Sequence, residues 1–349
     1  MTLDHFVARH VIMNALANHS RGVDRADFNL LSSAYWPDAS VDYGFFAGDA
    51  ATLVTILAEA QKASLPTLHR TSNIWIRQLG DQAVVESCVV AYAEEAELQR
   101  MVFGRYLDRL EQRDGAWRLT HRTYVLDGNT NRPNTAVRGD PPPIHDHYVP
   151  AGAKGGADPG RALLAHHEAS TRHLQGAIPM SADPTALDAA LSRSAIHDLS
   201  MAYCRGVDRG DVELLGGIFW DNATVISGLV NGDGATFARD IVSYVTENLD
   251  YCFHSVANEW IEVKGDHGVG EHYILAHQSA NGQDTMTGGR YIDSYERRGG
   301  TWKIASRTFV LDWTSTHPTT NEKAGFYEAL TTRGCWGKAD PVYPHWDSL

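Results

Sequence analysis

Residues 21–27 read RGVDRAD and residues 205–211 read RGVDRGD, an offset of 184 positions (from 21 to 205). Residues 122–127 read RTYVLD and residues 307–312 read RTFVLD, an offset of 185 positions (from 122 to 307). Because the offset changes by only one position over this distance, the matches indicate that one unit was duplicated as a whole. The repeat is far too long for a solenoid, so it predicts two tandem domains.

The composition of the chain limits the partners that it can bind. Its 349 residues exceed the size at which a single hydrophobic core keeps growing. The net charge is −13 and no Lys/Arg cluster is present, which argues against nucleic acid and anionic membranes, because basic residues bind both. No apolar run approaches the ~20 residues of a membrane span, and residues 1–20 contain His, Asp and Arg where a signal peptide is apolar. These features predict a soluble, cytoplasmic protein with a small-molecule partner.

The sequence contains no clear metal or cofactor motif. Its four cysteines form no CxxC pair and occupy non-equivalent places in the two copies: Cys88, Cys204, Cys252 and Cys335. A disulfide framework or a zinc site is therefore not expected. Residues 145–147 read HDH and residues 166–167 read HH, but a single HxH supplies too few ligands, so we interpret them as solvated loop. No GxGxxG motif follows a strand and no GxxxxGK[ST] motif occurs, so no cofactor is expected.

Hydrophobic periodicity predicts the same elements in both copies. Residues 4–22 show helical spacing, and a short second helix is expected after an N-cap at Asp27, or at Asp211 in copy two. A strand and another helix follow, the helix at 49–63 or 235–249. Runs with a period of two then predict a four-stranded meander, at 71–79, 83–94, 99–110 and 116–126 in copy one and at 256–263, 268–279, 286–296 and 301–311 in copy two. Helices followed by an antiparallel sheet are typical of an α+β fold.

The repeat divides the chain into copy one (1–135), a Pro/Gly-rich tether (136–184), copy two (185–320) and a C-terminal extension (321–349). Within the tether, residues 161–175 have a helical pattern. The segments that follow the two copies share an Arg-Gly and an Asp-Pro pair. Because long irregular loops are often lids, Asp140 to Pro150 and Asp340 to Trp346 are expected to cover pocket mouths and exclude water.

Several short motifs follow one another in the same order in both copies. The first helix carries Arg-x-x-Asp in both copies and Tyr-x-x-x-x-Asp in copy two; Asp-Ala opens the first strand of copy one, His-x-x-x-Asn enters the meander, and Trp-x-x-x-x-Arg lies in the last strand. This combination resembles the SnoaL-like branch of the NTF2-like superfamily. The resemblance implies two tandem cones, each with N-terminal helices packed in a curved antiparallel sheet around a deep pocket. The branch includes scytalone and bile-acid dehydratases, dehydrochlorinases, and sphingomonad diarylpropane lyases that release formaldehyde from lignin-derived dimers, and most members need no cofactor.

The resemblance also implies site residues, and it does so more completely for copy two. The catalytic positions there are Tyr203, Asp208, His254, His277 and Arg307. Copy one matches them with Asp24, His69 and Arg122, whereas His19 stands at the tyrosine position and Tyr92 at the position of the second histidine, so that these two are candidates for substrate binding. Copy two is therefore expected to carry most of the turnover.

An Asp/His pair is suited to proton transfer. A carboxylate that accepts the Nδ1 proton fixes the imidazole tautomer, leaves Nε2 free as a base and stabilises the imidazolium. A phenol or guanidinium nearby, such as Tyr203 or Arg307, can hold a departing hydroxyl or a developing oxyanion. In a buried pocket, this base meets its substrate with little competing water. The expected outcome is elimination or isomerisation.

Each of these residues also has a structural interpretation. The two aspartates can pair with Arg21 and Arg205 at the helix end, and the histidines and arginines can be satisfied core residues. Asn73 and Asn258 are interpreted as strand-entry residues that bond the backbone, and the repeated tryptophans as core. Retention of both Asp and His in the two copies favours a functional role.

The expected function is that of a cofactor-independent lyase acting on a hydroxylated aromatic small molecule, such as a lignin-derived dimer. The reaction is loss of water, with release of formaldehyde as the further step that the resemblance implies. An isomerase or polyketide cyclase, or a non-catalytic ligand-binding module, remains the alternative, because fold does not fix function. We also expect a homo-oligomer.

Overall fold

The computed structural model describes residues 3–65, 67–134, 153–158 and 184–349, and it contains two domains with the same order of elements. The first domain comprises α1 (Leu3–Asp24), α2 (Phe28–Ser33), β1 (Tyr35–Asp42), β2 (Ala47–Asp49), α3 (Ala50–Ala63), β3 (Thr67–Leu79), β4 (Gln82–Glu94), β5 (Leu98–Arg113) and β6 (Ala116–Pro133). The second domain comprises α4 (Pro184–Asp208), α5 (Val212–Gly217), β7 (Phe219–Ile226), β8 (Asn231–Asp233), α6 (Gly234–Asn248), β9 (Tyr251–Lys264), β10 (His267–Ala280), β11 (Gln283–Arg298) and β12 (Thr301–Pro318). A short helix, α7 (Val342–Trp346), follows. The predicted α+β fold is confirmed.

Each domain contains one six-stranded sheet. The strand order is β2-β1-β6-β5-β4-β3 in the first domain and β8-β7-β12-β11-β10-β9 in the second. The last four strands of each domain form the predicted antiparallel meander. The sheets are nevertheless mixed, because β1 pairs with β6, and β7 with β12, in parallel. The last strand is also longer than the sequence predicts, since β6 continues to Pro133.

The first helix of each domain lies across its own sheet. α1 contacts β3 and β6, and α4 contacts β9 and β12. Ile12 and Leu16 of α1 are fully buried in one cluster with Val85 and Leu119 of the sheet. Burying large aliphatic side chains of this kind stabilises a fold by roughly 1.5–3 kcal/mol each. The helix therefore provides the inner layer of the core, as the cone expected from the sequence requires.

The glycine of the repeated RGVD motif has a different role from the one its position indicated. A glycine there suits a helix C-terminus, but α1 continues through Gly22 to Asp24. A Cβ atom on Gly22 would lie 2.6 Å from the backbone nitrogen of Leu31, and Gly206 lies in the same way against Leu215. The glycine therefore allows the close contact between the first two helices of each domain. The predicted N-caps of the second helices are confirmed, since Asp27 accepts from the Leu30 N–H and Asp211 from the Leu214 N–H.

The two domains are joined through a buried cluster of charges. Arg105 of the first domain donates to Asp127 at 2.9 Å, to Glu86 at 3.2 Å and to Asp340 of the C-terminal extension at 2.7 and 2.8 Å. Arg209, at the end of α4, also donates to Asp127, at 3.0 Å. These side chains are nearly inaccessible to solvent. Solvent screens the interactions between buried charges far less than those between charges at a surface.

The C-terminal extension packs on the first domain. The 3-10 turn Gly325–Ala329 brings Phe326 to the cavity of that domain, whereas the Trp346 ring lies against Trp75, with ring centroids 4.8 Å apart. Asp340 is held in the charge cluster between the domains, and none of residues 340–346 lines the cavity of the first domain, so the lid role expected of Asp340 to Trp346 stays a prediction. The other expected lid, Asp140 to Pro150, lies outside the described residues, as does the helix expected at 161–175.

The described part of the chain contains no helix that is both long and apolar enough to cross a membrane. All four cysteines are free; Cys88, Cys204 and Cys252 are buried and Cys335 is exposed.

The charge cluster predicts a strong effect of Asp340 on stability. Asp340→Ala removes the carboxylate that Arg105 and Arg209 share, and removing one partner of a buried ion pair typically costs about 3 kcal/mol or more. The free energy of unfolding, measured by urea denaturation, should fall by about that amount. Asp38→Asn is the control, because the Asp38–Arg113 pair lies at the surface and its loss should change the free energy little. Equal effects of the two variants would contradict the role given to the cluster.

Candidate active site

In the first domain, the last residue of α1 and the start of β3 form a hydrogen-bonded acid/imidazole pair. Asp24 Oδ1 lies 2.7 Å from His69 Nδ1, and Asp24 Oδ2 accepts the backbone N–H of His69 at 2.8 Å. The Thr67 hydroxyl donates to the same Oδ1 at 3.1 Å. Both carboxylate oxygens thus accept hydrogen bonds, and the orientation of the imidazole is fixed.

The second domain repeats this pair. Asp208 Oδ1 lies 2.5 Å from His254 Nδ1, and Asp208 Oδ2 accepts the His254 backbone N–H at 2.8 Å. Cys252 replaces the threonine, with Sγ 3.3 Å from Oδ1. Burial opposes the ionisation of Asp208, but the charge interaction and hydrogen bonds with His254 outweigh it and lower the pKa of Asp208. Both pairs that the sequence predicts are therefore brought within hydrogen-bonding distance.

The geometry leaves one nitrogen of each imidazole for chemistry. An ionised carboxylate only accepts hydrogen bonds, so Nδ1 carries the proton and Nε2 carries the lone pair. The side chains of His69 and His254 keep 18% and 16% of their surface exposed, whereas Asp24 and Asp208 are buried. A substrate can therefore reach the base but not the carboxylate that orients it.

His69 borders a cavity of about 420 Å³ inside the first domain. Its walls are mostly apolar and aromatic and include Tyr43, Tyr106 and Tyr124, while Phe326 and Leu330 of the C-terminal extension close part of it. Ligand sites for small molecules typically have volumes of roughly 300–1,000 Å³ and this mainly apolar character. The base of the first domain thus lies at the wall of a cavity that a small aromatic molecule can enter.

Arg122 and Arg307, predicted as catalytic donors, are buried anchors. Arg122 makes a two-pronged bond to Asp108, at 2.6 and 2.7 Å, and Arg307 does the same with Asp293, at 2.8 and 2.6 Å. Arg122 is not among the residues that line the cavity; its guanidinium lies 3.9 Å from the centre of the Tyr106 ring. The arginine therefore supports a wall of the cavity, which is the structural interpretation that the sequence left open.

His19 supports the cavity from behind. It is buried, and the hydroxyls of Tyr35 and Tyr43 lie 3.1 and 3.4 Å from its two ring nitrogens. Burial, with Arg122 and His69 adding to it, lowers the pKa of His19 well below its usual value, so the ring is neutral. His19 does not line the cavity, whereas Tyr43 does. His19 therefore contacts the cavity through Tyr43, and a direct role of His19 in substrate binding stays a prediction.

The second domain fills the same interior with larger side chains. Tyr203 stands where the first domain has His19, and Phe237 where it has Leu53; their rings stack with centroids 6.2 Å apart. Tyr203 also contacts the Arg307 guanidinium, 4.1 Å from the ring centre. Burial, opposed by Arg307, raises the pKa of Tyr203 to about 12. Tyr203 is thus a neutral phenol within a packed aromatic cluster.

His277 lies on the opposite face of the sheet from His254. In the β9/β10 register, Ala276 is opposite His254 and His277 is opposite Phe253, and successive side chains of a strand point to opposite faces. His277 Nδ1 bonds the Tyr251 hydroxyl at 2.7 Å, and its ring stacks on Phe103 of the first domain. Burial lowers its pKa to about 4. His277 therefore faces away from His254, because one position along a strand reverses the face, and a catalytic role for His277 stays a prediction.

Tyr92, in the equivalent position of the first domain, is opposite Leu68, one residue before His69. It borders the cavity at the end away from the core, and its hydroxyl lies 3.5 Å from a Glu94 oxygen. A role in substrate binding therefore stays a prediction for Tyr92. The sequence missed the tyrosines Tyr43, Tyr106 and Tyr124, of which Tyr106 alone has a tyrosine at the equivalent place, Tyr291.

One cluster brings three possible metal ligands within 4.8 Å of one another: Asp208, Cys252 and His254. Metal binding there requires a thiolate and an unprotonated Nδ1. Burial and the nearby Asp208 charge raise the pKa of Cys252 well above its usual value. The cluster is better described as a hydrogen-bonded dyad with a neutral thiol beside it. The histidine motifs at 145–147 and 166–167 lie outside the described residues.

Among proteins of known function, similar chains match one domain at a time. Gamma-hexachlorocyclohexane dehydrochlorinase of Sphingobium indicum is 30% identical over 132 residues, which cover 36% of this chain and 85% of the relative. The crystal structure of LinA is 27% identical with a TM-score of 0.37, over 39% of this chain and 95% of that chain. The LinA-type3 dehydrochlorinase of Novosphingobium barchaimii is 27% identical with a TM-score of 0.35, over 36% and 90%.

The family comparison covers both domains. The family described as "SnoaL-like domain" matches residues 5–123 and, a second time, residues 188–308. These two matches coincide with the two sheets and with the two Asp/His pairs. This chain therefore belongs to the SnoaL-like domain family, in a form that carries two such domains in tandem.

Proposed function

We propose that this protein is a cofactor-independent lyase that eliminates a leaving group from a small aromatic substrate. The observation that carries the proposal is the Asp24–His69 pair, whose base borders the cavity of about 420 Å³. A ligand-binding module needs no oriented base, whereas an elimination does. The similarity to gamma-hexachlorocyclohexane dehydrochlorinase, which its name describes as an eliminating enzyme, supports the same reaction class.

The proposed elimination moves one proton and one electron pair. His69 Nε2 takes a proton from the carbon next to the one that carries the leaving group. The electron pair of the broken C–H bond forms the C=C bond, and the leaving group departs with the electrons of its own bond. A departing hydroxyl takes the proton that His69 has removed, which the imidazolium returns to it, and leaves as water. Asp24 stabilises the imidazolium that His69 becomes, which is the usual function of a carboxylate behind a catalytic histidine.

A lignin-derived diarylpropane diol is the substrate class that we favour. Its para-phenol loses a proton and its benzylic hydroxyl leaves as water, which gives a quinone methide. His69 then takes the proton of the primary hydroxyl, the adjacent C–C bond breaks, and formaldehyde leaves as the ring regains its aromaticity. The products are a stilbene, water and formaldehyde. The aromatic walls Tyr43, Tyr106 and Tyr124 support this choice, because aromatic rings pack well on one another.

We further propose that the first domain carries most of the turnover. The sequence favoured the second domain because it appeared to have the fuller set of catalytic residues. His277 faces away from His254, and Tyr203 and Phe237 occupy the interior of the second domain. In the first domain the smaller His19 and Leu53 stand at these two places, and His69 borders a cavity of about 420 Å³.

Substitution of the two histidines separates these possibilities. His69→Ala should lower kcat by roughly 100- to 10,000-fold, the usual cost of removing a general base. His254→Ala should lower it much less, because Tyr203 and Phe237 fill the interior next to that dyad. Turnover of diarylpropane diols, followed by mass spectrometry for loss of water and formaldehyde, provides the measurement, with circular dichroism as the control for folding.

A larger loss of kcat in His254→Ala than in His69→Ala would show that the second domain carries the main site. No effect of either substitution would exclude the lyase, and ligand binding without turnover would then favour a binding module. A product of unchanged mass would favour an isomerase or cyclase.

The position of Phe326 in the cavity wall predicts that this residue contributes to substrate binding. Its side chain is exposed for the most part but lines the cavity, so Phe326→Ala should raise KM several-fold by removing one wall, with a small effect on kcat and stability. Leu79→Ala is the matched control, because Leu79 is equally apolar and exposed but does not line the cavity. Steady-state kinetics of both variants decide the point, and an unchanged KM for Phe326→Ala would show that this turn does not contact the substrate.

A further inference from the structure

The interface between the two domains is made by different parts of each domain. The first domain contributes one face of its sheet, here called the receiving face: Asn73, Trp75, Glu86, Arg105 and Asp127. The second domain contributes the end of α4 with the start of β9. Arg205 donates to Glu86 at 2.6 Å and lies 3.9 Å above the Trp75 ring. Asn73 donates to the His254 carbonyl and accepts the Val256 N–H, both at 2.7 Å.

The second domain has its own receiving face, in the same conformation. Its residues are Asn258, Trp260, Glu271, Arg290 and Asp312, each 185 positions after its counterpart. Arg290 is bonded to Glu271 at 3.0 Å and to Asp312 at 3.0 and 3.1 Å, as Arg105 is to Glu86 and Asp127. Asn258 and Asn73 both have φ of 49°, a left-handed conformation that asparagine adopts more readily than most residues. The face is therefore preformed.

None of the residues that the structure describes covers this second receiving face. Trp260 is 55% exposed, and Tyr273, Leu311 and Trp313 around it are each about half exposed. At the matching places of the first domain, Cys88 and Leu126 are buried beneath the second domain and the C-terminal extension. A large exposed apolar patch with a polar rim marks an interaction surface.

The first domain carries the complementary surface at the end of α1, and the second domain does not cover it. The end of α1 carries Arg21 and Arg25 where α4 carries Arg205 and Arg209. A cavity of about 300 Å³ lies open there, next to Asp24 and His69. At the corresponding end of α4, the receiving face of the first domain leaves only about 10 Å³.

A short segment of the tether completes this match. Gly155 donates to the Arg25 carbonyl at 2.5 Å, as Gly337 of the extension donates to the Arg209 carbonyl at 2.6 Å. Asp158 lies 3.3 Å from both Arg21 and Arg25, as Asp340 lies 3.3 Å from Arg209. The end of α1 therefore has both parts that the second domain uses to bind a receiving face.

We propose that the receiving face of the second domain binds the end of α1 in a second copy of this chain, with the geometry of the interface between the domains. Arg290 of one chain then contacts Asp158 of the next, and Arg21 of the next chain lies between Trp260 and Glu271. Asn258 bonds the strand that carries His69, as Asn73 bonds the strand that carries His254. The candidate site of the first domain is thus completed by a neighbouring chain.

The choice of a second copy rests on complementarity. The receiving face pairs with an Arg-Gly-Val-Asp-Arg helix end, and α1 supplies the same five residues in the same place. Contacts between unlike surfaces of identical chains repeat from one chain to the next, and they close into a ring when the rotation permits. Because each chain has two domains, such a ring contains an even number of domains.

A charge exchange tests the proposal. The mass in solution, measured by light scattering, should be a multiple of the 38.4 kDa chain. Glu271→Arg places a positive charge against Arg21 and should raise the dissociation constant at least about tenfold, while the double variant Glu271→Arg/Arg21→Glu should restore association. Arg297→Glu is the control, because Arg297 is a surface arginine bonded to Asp188 and Asp266 outside the receiving face, and it should leave the mass unchanged.

A wild-type protein that stays at 38.4 kDa at micromolar concentrations overturns the proposal. So does an oligomer that Glu271→Arg leaves intact. Neither result touches the proposed elimination, which the histidine variants test separately.

Discussion

A single carboxylate in each domain joins the first helix to the sheet and prepares the histidine at the same time. Asp24 uses one oxygen for the backbone N–H of His69 and the other for the imidazole Nδ1. The backbone bond fixes where β3 begins relative to the end of α1, and the side-chain bond fixes the tautomer. Asp208 does the same for His254. Because structure and chemistry depend on the same two oxygens, this position cannot be optimised for one without the other.

The two interiors diverged around this common pair. In the second domain, a chain of hydrogen bonds runs from the buried Tyr295 and His272 through Glu259 to His197, which contacts the Ile74 carbonyl of the first domain. Burial opposes the ionisation of Glu259, but the bonds from the two histidines lower its pKa to about 2. The first domain has apolar or small residues at the equivalent places, Leu110, Ser87, Ile74 and Met13. The polar residues in the interior of the second domain thus contribute to its packing against the first domain.

The sequence predicted the elements and the dyads because both depend on local patterns that occur twice. Periodicity located the strands but ended the last strand of each domain seven residues early, at 126 instead of 133 and at 311 instead of 318, and the duplicated Asp and His identified the pair. The face of His277 was not predictable with the same confidence, because a side chain on a strand changes face with every position and the β9/β10 register also shifts near His272. The walls of the cavity come from distant strands and from the extension, and no local motif marks Tyr43 or Phe326. The pairing of Asp340 with Arg105 was equally unpredictable, since an Asp-Pro pair in a loop does not indicate a buried arginine partner.

The position of Leu330 and Phe326 in the cavity wall has a consequence for the order in which the site is made. During translation, the first domain leaves the ribosome long before these residues are synthesised. Its helix, sheet and Asp24–His69 pair can assemble at that stage, but the cavity still lacks part of its wall and opens to solvent as an apolar cleft. Closure waits for the second domain to fold and to bring the extension back. The nascent first domain therefore exposes an apolar cleft, and a chaperone that binds such clefts has its target in that interval.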